Sequence, residues 1–246
     1  RCTAAKRQRH WHANGLLTNL LGIMNKRNWF MTAALTVVST TVMAQTSYPW
    51  MDTSKSFRER AELLCRELTL REKVDQLGNN VSEPIKRDGQ VILPSYQYWN
   101  EALHGVARSG AATSFPESKG MSATWDEMLV RACAEAISDE ARIYHETKGK
   151  GLNYWSPTIN MARDPRWGRE EENYGEDPLL AGRLAVEFIK GFQGEITPAT
   201  PYYKLVACAK HFAANNYEQG RQSTTSFVTE KNMREYDLPA VELSVR

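Results

Sequence analysis

Apolar side chains recur three and four positions apart in several long stretches of the chain and cluster in shorter runs between them. The first period belongs to amphipathic helices and the second to short buried strands. Tyr48 to Thr53 reads as an extended lead-in, followed by a helix from about Phe57 to Leu68. A second helix starts at Thr69, where Thr69-Leu-Arg-Glu72 has the spacing of a capping box. Pro84, Gly89 and Pro94 punctuate a loop that leads to a predicted strand end at Tyr96 to Glu101. Thr124-Trp-Asp-Glu127 repeats the capping spacing and opens a long helix with an apolar stripe from Met128 to Tyr144, stopped by Gly149. Leu152 to Ile159 is the next predicted strand, and Asn160 to Asp177 is a polar loop rich in arginine. Pro178 starts a helix with Leu180, Leu184, Phe188 and Phe192 on one side, closed by Gly191 and Gly194. Lys204 to Ala209 reads as a buried strand, Asn215 to Thr229 as a polar loop, and a last helix begins near Glu230.

Strands alternating with helices of ten or more residues predict an α/β fold of parallel βα units. Such units close either as an open doubly wound sheet or as a (β/α)8 barrel of the TIM type. Each cluster of aromatic and charged residues follows a predicted strand, where both architectures build their sites. No glycine-rich phosphate loop follows any strand, which removes most of the case for a nucleotide-binding open sheet and for a nucleotide cofactor. The barrel is favoured. A complete one takes about 250 residues, and the 202 that follow residue 44 fall short of it, so the predicted fold is an incomplete barrel.

The start of the chain changes the reading of its charge. The chain has 246 residues and a formal net charge of +2, yet the first 27 positions carry Arg1, Lys6, Arg7, Arg9, Lys26 and Arg27 with no acid. From Met24 to Ala44 a basic pair, an apolar stretch and small residues follow in the order of a secretory signal peptide. Residues 1–23 are read as a translated upstream segment, 24–44 as the signal peptide and 45–246 as the folded domain. Removing 44 residues with six basic side chains leaves 202 residues and a formal charge of −4. That balance argues against nucleic acid as a partner. The expected location is periplasmic or extracellular, with no membrane span after cleavage. Cys65, Cys133 and Cys208 lie among apolar neighbours and are expected as buried free thiols. No CxxC or HExxH pair supports a metal site.

Three clusters could carry chemistry. Trp99 and Glu101 are alternate residues of one predicted strand and would share a face, where an aromatic plate beside a carboxylate suits a sugar. The alternative is a core tryptophan with a surface ion pair. Between Ala162 and Pro178, three arginines and several acids can satisfy one another as a network that stiffens a loop, so most of these charges read as structural. Lys210 and His211 end a predicted strand, and in regular geometry neighbours point to opposite faces.

Tyr96-Gln-Tyr-Trp-Asn-Glu-Ala-Leu-His-Gly105, Tyr154-Trp-Ser-Pro-Thr-Ile-Asn-Met-Ala-Arg-Asp-Pro-Arg-Trp-Gly-Arg169, Asn173-Tyr-Gly-Glu-Asp-Pro178 and Lys210-His-Phe-Ala213 together resemble the N-terminal barrel domain of glycoside hydrolase family 3. The order and spacing agree over nearly all of residues 48–246. The resemblance implies an exo-acting, retaining β-glycosidase that needs no cofactor. It implies that Lys210 and His211 hold hydroxyls in the −1 subsite across a non-proline cis peptide. Arg169 would bind the glycone, and Arg221 would add a contact. Trp155 stands where relatives often carry tyrosine. The Glu-Ala-Leu-His-Gly form around Glu101 resembles the β-xylosidase branch, where Trp99 and Glu101 would leave room for a pentose and crowd the hydroxymethyl group of glucose. The substrates implied are xylo-oligosaccharides. A β-glucosidase, an α-L-arabinofuranosidase and a non-catalytic carbohydrate-binding remnant are the alternatives. The resemblance puts the nucleophilic aspartate and the acid/base beyond residue 246, so no catalytic residue is expected in this chain. Asp164, Glu176 and Asp177 match structural positions. A barrel lacking strands would expose edges, so this stretch alone is expected to be unstable and inactive.

Overall fold

The computed structural model describes residues 48–79 and 81–246. The predicted signal peptide and the segment before it lie outside the described residues. The chain divides into two compact units, residues 1–64 and 65–246. In the first, Pro49–Met51 forms a 3-10 turn instead of the extended lead-in, with Pro49 supplying its starting φ. Arg60 Nε donates to the carbonyl of Trp50 at 2.7 Å. Helix α1 is Phe57–Glu67.

The second unit is mixed α/β with few strands. Helix α2, Leu70–Asp75, carries the predicted capping box, with the Thr69 and Glu72 side chains each accepting from the other's backbone N–H. Four short strands follow: β1 (Val81–Ser82), β2 (Ile85–Arg87), β3 (Gln90–Leu93) and β4 (Tyr96–Gln97). β2 and β3 form an antiparallel hairpin, and β1 pairs with β4. A loop was expected over this stretch. The hairpin forms because Asp88 and Gly89 both adopt positive φ, the geometry a tight two-residue turn needs. The strand predicted over Tyr96 to Glu101 stops at Gln97.

Helix α3 (Ser118–Ser122) precedes α4 (Glu127–Lys148). Asp126, not Thr124, caps α4 by accepting from Leu129 N, because the Thr124 hydroxyl is turned back onto the Met121 carbonyl. Gly149 ends the helix in the left-handed conformation. Strand β5 (Asn153–Tyr154), helix α5 (Pro178–Gln193) and strand β6 (Val206–Ala207) make one parallel βαβ unit, the strands pairing Asn153 with Val206 and Tyr154 with Ala207. It is the one parallel strand pair among the described residues. β6 was expected to be wholly buried; Leu205 is, but Val206 and Cys208 are exposed. Among the described residues, β5 is the one strand paired with β6. The cysteines follow suit, since Cys133 is buried whereas Cys65 and Cys208 are exposed.

The core lies where α4 and α5 run side by side. Arg183–Glu127 and Arg131–Glu187 ion pairs near the start and the Ser138 hydroxyl on the Gly191 carbonyl near the end set the two helices parallel. Val130, Ala134 and Ile137 of α4 are buried with Leu184, Phe188 and Phe192 of α5, each large side chain contributing roughly 1.5–3 kcal/mol. Gly191 permits this approach, because a Cβ there would sit 2.4 Å from the Arg131 carbonyl. The last helical stretch is broken into α6 (Glu230–Asn232), a π turn at Met233–Asp237 and α7 (Pro239–Val245). Pro239 offers no N–H to continue the ladder, so the chain restarts there. Among the described residues, no helix is long and apolar enough to cross a membrane.

Candidate functional site

The ends of β5 and β6 bring the sequence-predicted residues together. Trp99 to Glu101 is not a strand, yet it is fastened to β5 by amide side chains: Asn153 Nδ2 donates to the Tyr98 carbonyl (2.8 Å) and Asn100 Nδ2 to the Asn153 carbonyl (3.0 Å). The Trp155 N–H adds a bond to the Asn100 carbonyl (2.8 Å), and the Ser156 hydroxyl accepts from Ala102 N (3.2 Å). Gly151 allows the approach, since a Cβ there would lie 1.9 Å from the Gln97 carbonyl oxygen. Beyond β6 a bridge joins Thr158 to Lys210, and the Lys210–His211 peptide is cis.

Trp99, Glu101, Trp155, Arg169, Lys210, His211 and Arg221 line one open cleft of about 460 Å³. Arg108, Glu172 and Asn215 complete it and were not anticipated. The Trp99 and Trp155 rings lie 6.2 Å apart at 44°. Lys210, 8% exposed, reaches Glu101 Oε1 at 3.4 Å. Arg169 forms a fork on Glu172, at 2.8 and 2.5 Å, and Arg221 pairs with Glu218 at 2.8 Å.

His211 has a defined hydrogen-bonding state. Arg169 Nη1 lies 3.0 Å from His211 Nε2, and arginine has no acceptor, so it donates and Nε2 carries no proton. The proton is on Nδ1, which donates to Asn160 Oδ1 at 2.8 Å; the same oxygen accepts the His211 backbone N–H at 2.9 Å. Burial, then the positive charges of Arg169 and Lys210, lower the His211 pKa to about 4, which keeps the ring neutral. Burial also lowers the Lys210 pKa, against the attraction of Glu101. Burial pushes the Glu101 carboxyl up, but the Arg108 hydrogen bond and the charges of Lys210 and Arg108 outweigh it and hold it below its ordinary value. The Arg169 guanidinium is raised, first by its hydrogen bond to Glu172.

The cleft therefore presents an ionised acceptor, a neutral imidazole and several cationic donors beside two indole rings. That set can hold a polyol by its hydroxyls and its C–H face. Among the described residues, no group of three or more His, Cys, Asp or Glu side chains is placed to hold a metal ion. Asp164 and Asp177 have structural partners: the first pairs with Arg166 at 2.6 Å, and the second caps α5. Asn160 escaped sequence reading because its role depends on His211, 51 positions away; Arg108 left a weak signal, a cation seven residues after Glu101.

Residues 65–245 match the model of the glycosyl hydrolase family 3 N-terminal domain. An exo-1,4-beta-xylosidase of Emericella nidulans is 41% identical over 217 residues, which cover 80% of this chain and 28% of that protein. A beta-xylosidase/alpha-L-arabinofuranosidase of Medicago sativa subsp. varia is 40% identical over 68% of this chain and 22% of its own length. A solved family 3 exo-beta-xylosidase bound to a xylobiose aziridine activity-based probe superposes with a TM-score of 0.69 at 34% identity, over 80% of this chain and 26% of that one. The chain thus spans about a quarter of the length of these relatives.

Proposed function

This chain belongs to glycosyl hydrolase family 3, and on that premise we propose that it supplies the glycone-binding part of an exo-acting, retaining β-glycosidase that releases terminal β-D-xylosyl residues from xylo-oligosaccharides. The convergence of Trp99, Glu101, Arg169, Lys210 and His211 on one cleft carries this reading. Glu101 would accept hydroxyls, Lys210 and Arg169 would donate to them, and the indoles would pack on the sugar face. The neutral His211 would extend the polar lining without adding charge. Trp155 and Arg221 would close the sides.

Retaining hydrolysis needs two carboxyl groups about 5–5.5 Å apart. Glu101 and Glu172 are each held by cations, which suits binding rather than attack, and the resemblance to the family is what puts the nucleophile and the acid/base beyond residue 246. The βαβ unit and the parallel helix pair α4/α5 support reading residues 45–246 as part of a (β/α)8 barrel. Met24 to Ala44 is proposed as a signal peptide and 1–23 as an upstream translated segment, with export to the periplasm or the medium. An α-L-arabinofuranosidase activity is the second reading, favoured by the similarity to the beta-xylosidase/alpha-L-arabinofuranosidase of Medicago sativa subsp. varia. Initial rates of the full encoded polypeptide on 4-nitrophenyl β-D-xyloside, β-D-glucoside and α-L-arabinofuranoside test the proposal. The xyloside is expected to be fastest; a glucoside turned over ten times faster overturns the assignment.

A further inference from the structure

We propose that Arg108 is a positioning residue of the cleft, its guanidinium locking the Trp99 ring and the Glu101 carboxylate into one wall against which the sugar lies. The proposal rests on the sugar-binding reading of the cleft. Arg108 Nε donates to Glu101 Oε2 at 3.0 Å, while its guanidinium carbon lies 5.1 Å from the centre of the Trp99 ring. Trp99 and Glu101 sit in irregular backbone, so no strand ladder fixes their directions. The other partner of Glu101, Lys210, reaches its second oxygen from the opposite wall at 3.4 Å. Arg108 spans the ring and the acid.

The arginine is exposed, with 66% of its side chain accessible, yet its backbone is built to bring it back over Glu101. The Ala107 N–H donates to the Glu101 carbonyl at 2.9 Å and closes the loop. Arg108 itself adopts φ 59°. Helix α4 staples the loop from outside. Lys148 Nζ donates to the Ser109 carbonyl (2.8 Å), the Tyr144 hydroxyl to the Ala111 carbonyl, and Thr113 Oγ1 to Glu140 (2.6 Å). Gly110 suits this turn because its φ of 143° is one that residues with a Cβ rarely adopt. These contacts fix the backbone from which Arg108 projects.

The charged groups facing Glu101 are Arg108 and Lys210, with Arg169 and Glu172 behind Lys210. Removing Arg108 takes away the hydrogen bond that offsets burial, so the carboxyl must protonate at higher pH. The test uses Arg108→Ala and Arg108→Lys in the full encoded polypeptide. kcat and KM for 4-nitrophenyl β-D-xyloside are measured from pH 4 to 8, and the Glu101 carboxylate is titrated by ¹³C NMR, assigned with Glu101→Gln. In Arg108→Ala, KM is expected to rise about tenfold through misplacement of the wall. The acid limb of kcat/KM and the Glu101 titration are expected to move to higher pH together. Arg108→Lys restores most of the acid limb but not KM, because an ammonium keeps the charge without the planar fork. Kinetics within twofold of wild type at every pH, or a rise in KM with an unmoved acid limb, overturns the proposal. A wild-type protein inactive on every aryl glycoside sinks the functional reading instead; the NMR titration then decides, and an unchanged Glu101 midpoint in Arg108→Ala overturns the positioning role.

Discussion

Asn160→Ala is the most informative single perturbation of the site's architecture. Asn160 is 6% exposed, and its side chain makes three good hydrogen bonds: Oδ1 accepts from the His211 backbone (2.9 Å) and ring (2.8 Å), and Nδ2 donates to the Asn215 carbonyl (2.8 Å). Each is worth about 0.5–1.5 kcal/mol net, which sums to a few kcal/mol. His211 and Asn215 are only half-buried, so water can reach the groups left behind, and the expected loss settles at about 2 kcal/mol. Urea unfolding at pH 7, followed by tryptophan fluorescence, gives that number directly. A second readout is the imidazole ¹⁵N spectrum. Wild type should show the Nδ1–H tautomer, dictated by Arg169 on one side and Asn160 on the other, and the variant should show a mixture. A stability loss under about 0.5 kcal/mol, or a wild-type ring protonated on Nε2, would refute this account of how the two strand ends are joined.

Three other outcomes follow from the same structure. His211 ordinarily titrates at 6.5 but at about 4 in the fold, so between those values the unfolded chain binds more protons and stability falls as the pH drops. The ceiling is about 3 kcal/mol, which partial exposure reduces to about 1–2; unfolding at pH 7 and 4.5 should show it, and His211→Gln should remove that share. Gly191→Ala pushes a methyl toward the Arg131 carbonyl, 2.4 Å away, and should cost about 1–3 kcal/mol in denaturant unfolding; a neutral result means that α4 and α5 are not in this close contact. Phe188→Ala empties a fully buried position between α5 and its neighbours and should cost about 3–5 kcal/mol by the same assay, whereas a loss under 1 kcal/mol contradicts the packing described.

Local chemistry alone determined several elements. Thr69 and Glu72 are three residues apart and cap one helix end wherever it lies; Gly149 stops α4 because the left-handed conformation there favours glycine; Pro178 and the Leu184, Phe188, Phe192 stripe define α5. Trp99, Glu101, Lys210 and His211 were legible as polar and aromatic clusters after predicted strands, whereas Trp155, Arg169 and Arg221 were picked out only by the resemblance to glycoside hydrolase family 3. Tertiary structure decided what spacing cannot encode. Asn160 meets His211 across 51 positions and Arg169 meets it across 42, so neither contact leaves a local trace. The exposure of Val206 and Cys208 depends on which elements pack over them, which an apolar run cannot state. The Asp88-Gly89 hairpin did carry a local signal, since Asp-Gly favours the positive φ pair of a two-residue turn, and reading the stretch as a loop passed over it. Arg108 stands between the two cases. Its distance from Glu101 is short in sequence, but the loop that carries it is held by Tyr144 on the Ala111 carbonyl and Lys148 on the Ser109 carbonyl, and a loop held by long-range packing exists only in the folded chain.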